Sequence, residues 1–242
     1  MTPRSKETQH VKLCVYCGGK ANSEDHIPSR NLVLPNERDR TRFIKVDSCI
    51  KCNRGFSKDE EFFRNYITSF SQEHSDKASI LFNTSIKRSI ERRPAIGRAF
   101  LRNMSLTNIY TPSGLYLGKR TKIELRENDL SRIFNVMDKY IKGLASFIFR
   151  LPVPQNHIIR HSWTDENDPC FQEKKLQDVL AWNKENFETF IYGYARVPDS
   201  FQSIWVCIFF KTAFFISFIY PEDSHAAKII PKNIICFRPK PF

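Results

Sequence analysis

The most regular hydrophobic pattern in the chain lies in the segment 128–149. Its apolar positions recur about every 3.6 residues, which predicts one long amphipathic helix. The residues of this apolar face are Leu130, Ile133, Phe134, Met137, Ile141, Leu144 and Ile148. Asn128 or Asp129 is the predicted N-cap of this helix. Two shorter helical patterns precede it, over 60–71 and 76–93.

Several other apolar segments alternate with a period of two residues, which predicts strands. The segment 106–125 alternates on both sides of a turn at 112–114 and therefore predicts a hairpin. Four further strands are expected nearer the C-terminus, over 156–163, 187–197, 203–211 and 212–220. Lys211 lies in the centre of the last two, which favours a buried hairpin over a membrane span. We therefore expect an α+β fold in which an antiparallel sheet packs against helices.

Composition adds a strong positive charge to this picture. The 242 residues include 38 Lys and Arg against 26 Asp and Glu, a formal net charge of +12, which favours a polyanionic partner and nucleic acid in particular. An apolar content of 41% with only 8 glycines excludes a globally disordered or low-complexity chain. The first 17 residues lack the apolar run of a signal peptide, so we expect a cytoplasmic protein without a membrane partner.

Four of the seven cysteines form two CxxC pairs, Cys14 with Cys17 and Cys49 with Cys52. Four thiolates in two such knuckles match the tetrahedral coordination that Zn(II) prefers, so we predict a structural zinc site. Four reduced core cysteines are the alternative, although neither pair lies in an apolar run. The remaining cysteines are scattered along the chain and are predicted to be packing thiols: Cys170, Cys207 and Cys236.

Two further motifs accompany the knuckles. The segment 24–28, EDHIP, lies between them, and Asn53 follows Cys52 directly and precedes a helical segment that contains Lys58. The order CVYC, EDHIP, CIKCN and RGFSKDEEF resembles the HNH endonucleases, also called ββα-metal or His-Me finger nucleases, in their four-cysteine form. The resemblance covers about a fifth of the chain. It implies an HNH domain with structural zinc over 11–66, followed by an α+β region over 67–242 that binds substrate, a partner or a second copy.

The resemblance also implies a role for each residue of these motifs. His26 would be the general base that activates water, while Asp25 and Asn53 would hold one catalytic divalent cation, Mg(II) or Mn(II). Considered alone, Asp25 and His26 before a proline also fit a turn, and Asn53 also fits a helix N-cap. Members of the family often carry an asparagine a few residues before the second knuckle that supports the catalytic histidine through its backbone. None stands there in this chain, and the substitutes left open are Asn31, Asn36 and Asp47.

Basic residues around these motifs favour a nucleic-acid substrate, with DNA preferred over RNA. The candidates for contact with its backbone are Arg42, Lys51, Arg54 and Lys58 near the site, and Arg92 and Arg93 in the next helical segment. A solvated helix or loop surface is the alternative explanation for each of them. HNH sites generally contact the phosphate backbone, so a sequence preference would have to come from other parts of the chain.

The sequence thus predicts a metal-dependent endonuclease that hydrolyses phosphodiester bonds, of a kind found in prokaryotic defence systems and mobile elements. Two alternatives stay open. One is a zinc-ribbon protein that binds nucleic acid without catalysis. The other is a nuclease switched on by a ligand or partner bound to the C-terminal region. The sequence leaves open whether the protein acts as a homodimer or with a regulatory protein.

Overall fold

The N-terminal part of the fold is a strand hairpin followed by helices. The computed structural model describes residues 12–164, 178–183, 188–229 and 234–235. Strands β1 (Ser23–Ile27) and β2 (Ile44–Ser48) pair antiparallel across a long loop. The helices that follow are α1 (Ile50–Gly55), α2 (Ser57–Ser71), α3 (Asp76–Leu81), α4 (Lys87–Arg92) and α5 (Pro94–Leu101).

A second hairpin and one long helix connect this part to the main sheet. The hairpin is formed by β3 (Met104–Tyr110) and β4 (Tyr116–Ile123), and the helix is α6 (Glu127–Phe149). The remaining elements are β5 (His157–Thr164), β6 (Ala181–Asn183), β7 (Phe190–Arg196), β8 (Ser203–Phe209), β9 (Ala213–Pro221), α7 (His225–Ile229) and β10 (Ile234–Ile235).

The main sheet has the strand order β10-β5-β9-β8-β7-β6. Its neighbours are antiparallel except for β10, which pairs parallel with β5. The α+β fold and the antiparallel sheet predicted from the sequence are therefore confirmed. The segment 203–220 forms the β8–β9 hairpin with Lys211 in its turn, as expected. Within the described ranges, no helix is both long enough and apolar enough to cross a membrane.

Helix α6 buries the apolar face that its period predicts. Ile133, Met137 and Ile141 are fully buried in the main core. The predicted N-cap is wrong, because the helix begins at Glu127 with Arg126 as its N-cap. Asp129 acts inside the first turn instead, where its carboxylate accepts a hydrogen bond from the Arg126 backbone N–H at 3.3 Å.

The helical pattern over 76–93 corresponds to α3, a π-helical turn over Phe82–Ile86 and α4. Helix α5 was not expected, because Pro94 suggested only an end to the preceding helix. Pro94 instead opens α5 at its first turn, where the missing N–H costs no hydrogen bond.

One face of the β1–β2 hairpin, here called the inner face, packs against α6. A Cβ added at Gly143 of α6 would lie 2.1 Å from Cδ1 of Ile27, so any larger residue at this position would force the buried Ile27 side chain to shift. The main core is continuous from Ile27 and Phe63 to Trp205 of the sheet. The predicted boundary between the two domains, after residue 66, falls inside α2. Which parts of the chain fold as independent units stays a prediction.

Candidate metal and catalytic centre

The two CxxC turns bring four sulfur atoms together. The Sγ atoms of Cys14, Cys17, Cys49 and Cys52 all lie within 4.8 Å of one another. Gly18 has φ +72°, and its N–H donates to the Cys14 carbonyl at 2.8 Å, which closes the first turn. Cys49 is the N-cap of α1 and accepts from the Cys52 N–H at 3.4 Å. The cap role considered for Asn53 is therefore wrong, because Asn53 lies inside α1.

This spacing suits a tetrahedral metal ion. With Zn–S bonds of about 2.3 Å, the edges of a regular tetrahedron are about 3.8 Å, and Cys17 Sγ lies 3.9 Å from Cys49 Sγ. Burial raises the pKa of Cys14, but backbone hydrogen bonds from Cys49, Tyr16 and Cys17 outweigh it and lower this pKa to about 7. The four cysteines could therefore hold a metal such as zinc. Cys207 is buried in β8 as expected, whereas Cys170 and Cys236 lie outside the described residues.

Helix α1 places the Asn53 amide against the start of β1. Its Nδ2 donates to Ser23 Oγ and to the Glu24 carbonyl, each at 2.8 Å. These two acceptors fix which end of the amide is nitrogen. Within the described residues Oδ1 has no hydrogen-bond partner, so it is free to act as a ligand or acceptor.

Asp25 lies on the inner face of the hairpin and is 5% exposed. Its Oδ1 accepts from Lys139 Nζ at 2.9 Å and from the His26 backbone N–H at 2.8 Å, and its Oδ2 accepts from the Tyr16 hydroxyl at 3.0 Å. Burial and the negative charge of Asp25 raise the pKa of Tyr16, so this hydroxyl stays protonated. A carboxylate offers about four acceptor positions. Asp25 therefore keeps one, on Oδ2.

Lys139 of α6 is a residue of this candidate centre that the sequence analysis did not single out. It is 1% exposed, and its ammonium lies between the carboxylates of Asp25 and Glu60. Glu60 also accepts from Ser29 Oγ at 2.6 Å, and Ser29 Oγ accepts from the Tyr140 hydroxyl at 2.8 Å. A buried network of charges and hydrogen bonds thus joins β1, α2 and α6.

His26 lies on the opposite, outer face of β1, because successive side chains of a strand alternate. Its half-buried ring contacts Phe43 edge to face at 5.4 Å. Burial lowers the pKa of His26, and the charge of Arg30 lowers it further, while Asp25 opposes this shift. The imidazole is therefore neutral near pH 7.

The structure brings some predicted site residues together and separates others. Asn53 contacts the strand that carries Asp25 and His26, but these three side chains make no hydrogen bond with one another in the described structure. Asp47, one of the substitutes considered for the missing asparagine, pairs with Lys12. None of the three substitutes, which also include Asn31 and Asn36, has a side chain that hydrogen-bonds the backbone or the ring of His26 within the described residues.

The residues predicted to contact the phosphate backbone of nucleic acid differ in their exposure and in their ion pairs. Lys51, Arg54 and Lys58 are exposed on α1 and at the start of α2, with helical spacing. Arg42, Arg92 and Arg93 are also exposed, but Arg42 has an interaction partner and Arg93 pairs with Glu61. The three residues on α1 and α2 share an exposed basic side of these helices, and the helical period of about 100° per residue places that side away from Asn53, whose amide faces β1.

Comparisons of the chain with protein-family models, with curated proteins and with solved structures found no match. The functional argument therefore depends on the residues and their geometry: a four-cysteine cluster, a strand that carries Asp25 and His26, and a helix that carries Asn53.

Proposed function

We propose that this chain is a zinc-stabilised endonuclease of the HNH type that hydrolyses phosphodiester bonds of nucleic acid, DNA in preference to RNA. One observation carries the proposal: the four-cysteine cluster connects α1 to the β1–β2 hairpin, and Asn53 of α1 is anchored on the strand of Asp25 and His26. The element order strand, strand, helix is the order that the family resemblance implies. The proposal includes a cytoplasmic location and structural zinc at the four cysteines.

Asn53 and Asp25 are the proposed ligands of a catalytic Mg(II) or Mn(II). Their fit to such an ion is partial: Oδ1 of Asn53 is free, while Asp25 offers only the remaining position on Oδ2. When bound, the cation would polarise the phosphate. Asn53 holds its ligand atom in place through its two bonds to β1.

His26 is the proposed general base. A neutral imidazole can take a proton from water at pH 7, and burial keeps His26 neutral there. Lys51, Arg54 and Lys58 are exposed on α1 and at the start of α2, where they can hold a phosphate backbone by charge.

The proposal is tested by cleavage of plasmid DNA, single-stranded DNA and RNA with Mg(II) or Mn(II). General bases contribute roughly 10² to 10⁴ in rate, so we expect His26→Ala to lose cleavage by at least about 100-fold while DNA binding is retained. His74→Ala is the matched control, because His74 is an exposed histidine beyond the end of α2. Equal activity of His26→Ala and His74→Ala would exclude His26 as the base.

A zinc-stabilised nucleic-acid-binding protein without catalysis is the second candidate. The ion pair between Asp25 and Lys139 favours it, because an ammonium already neutralises the carboxylate that the nuclease needs for its cation. In this case the wild-type chain binds DNA and cleaves none of the substrates with either cation.

A further inference from the structure

The β3–β4 hairpin, here called the arm, is exposed on both faces. Neither of its strands contains a buried residue. Its base is attached to the body, where Asn103 Nδ2 donates to Tyr66 and to Asp129, each at 2.6 Å. At about 3.4 Å per residue, the strands extend about 20 Å from this anchor. An isolated two-stranded sheet has little stability of its own, so the exposure of this arm indicates a surface for a partner.

The arm and the helices before it carry one sign of charge. Between 87 and 123 there are nine basic residues and one acidic residue, Glu91, so this segment contributes +8 to the net charge of +12. All nine basic side chains are exposed: Lys87, Arg88, Arg92, Arg93, Arg98, Arg102, Lys119, Arg120 and Lys122. The last three lie along β4. Two of the nine form surface ion pairs: Arg93 with Glu61, and Lys122 with Glu124 just beyond the strand. A partner that covers this segment must be strongly anionic.

The tip of the arm is apolar and aromatic. Tyr110 and Tyr116 are each about half exposed, with ring centroids 5.5 Å apart, and Leu115 is 65% exposed. Pro112 is exposed in the turn between them. Apolar wedges and aromatic rings beside cations are the side chains with which proteins enter a nucleic-acid groove or stack on bases.

We propose that the arm binds duplex DNA, with the cations of β4 on the phosphates and the tip in a groove. A two-stranded ribbon is narrow enough to enter the major groove, which is about 12 Å wide. An anionic membrane surface would attract the same charge. Thr111 and Ser113 lie among the apolar residues of the tip, where their hydroxyls hydrogen-bond each other at 2.8 Å and the Thr111 hydroxyl accepts from the Leu115 N–H at 2.9 Å. The choice of nucleic acid as the partner rests on the proposed function.

Charge removal on the arm is the first test. The variant Lys119→Gln/Arg120→Gln/Lys122→Gln is compared with a control of equal charge, Arg196→Gln/Lys211→Gln/Lys228→Gln, whose residues are exposed on the main sheet and α7. Binding of a 30-base-pair duplex is measured by fluorescence anisotropy without Mg(II) or Mn(II), over a range of salt concentrations. Each lost phosphate contact lowers the slope of log K against log salt by about one.

We expect the arm variant to lose about three units of this slope and at least about tenfold in affinity, and the control to lose clearly less. Equal affinity and slope in the two variants would overturn the proposal. Because cleavage is not measured, a chain that binds through the arm but never cleaves DNA would refute the nuclease and leave this inference standing.

The tip variant Leu115→Ser/Tyr116→Ser separates DNA from membrane. It is tested on the same duplex and on vesicles of phosphatidylserine and phosphatidylcholine. We expect it to bind the duplex at least about fivefold more weakly than the wild type, because the contacts of two large apolar side chains with the groove are lost. Unchanged duplex binding together with lost vesicle binding would overturn the proposal in favour of a membrane surface. Both substitutions are at exposed positions, so circular dichroism should be unchanged.

Discussion

Lys139→Met removes the buried ammonium that joins the candidate centre to α6, and it is the sharpest test of this structure. Methionine keeps most of the apolar length of lysine, so the substitution isolates the loss of charge. Lys139 is 1% exposed, and the side chains of its partners Asp25 and Glu60 are 7% and 14% exposed. The variant therefore leaves two nearly buried carboxylates close together without their counter-charge.

The expected cost is large because the remaining charges have little access to water. Breaking a buried ion pair by removing one partner costs about 3 to 5 kcal/mol. In a chain of this size, 1 kcal/mol corresponds to a change in Tm of about 2 to 4 °C, so we expect the melting temperature to fall by about 6 to 20 °C. If the cost comes from the uncompensated charge, adding Glu60→Gln to Lys139→Met should restore at least about 1 kcal/mol.

Equilibrium unfolding in urea, with zinc present, measures these differences. Lys142→Met is the matched control, because Lys142 lies on the same helix, is only half buried and has no ion-pair partner in the described structure. We expect it to change the free energy of unfolding by less than about 0.5 kcal/mol. If Lys139→Met costs no more than Lys142→Met, the ammonium does not hold the centre together and the argument for this network is wrong.

Two further predictions concern the hairpin and its cysteines. Cys17→Ala should lower the zinc content of the purified chain, measured by mass spectrometry of metals, and its melting temperature should respond less to a chelator. Cys207→Ala is the control and should keep its zinc, because Cys207 is buried in β8, outside the four-cysteine cluster. Equal zinc content in the two variants would refute the assignment of the site. Gly143→Val should destabilise the fold by about 1 to 3 kcal/mol, because its side chain would overlap Ile27. Gly55→Ala is the control and should be neutral or stabilising, because Gly55 has open space around it. Equal effects of the two substitutions in urea unfolding would contradict the packing of α6 on the hairpin.

The parts of this structure that the sequence predicts well are those encoded by local spacing. The period of the α6 residues predicts their burial, and the two CxxC pairs predict the cluster, because each signal lies within a few residues. Lys139 shows the limit of this reasoning. A lysine in a helix is expected to face solvent, and its partner Asp25 lies 114 residues away. One sequence signal was available: positions 136 and 143, three residues before and four after Lys139 on the same side of the helix, are valine and glycine and not charged residues.

The position of Lys139 changes how the candidate centre should be understood. The family resemblance implies a centre made by residues 11–66 alone, with Asp25 open to a cation. In the structure, Asp25 and Glu60 both lie in that segment, but the positive charge that balances them comes from α6. Arg132, seven residues before Lys139 on the same helix, likewise pairs with Asp59 at 2.7 Å. Helix α6 thus supplies the cations that pair with three carboxylates of the segment 11–66, those of Asp25, Asp59 and Glu60. A cation that binds Asp25 therefore has to share the carboxylate with Lys139 or displace it.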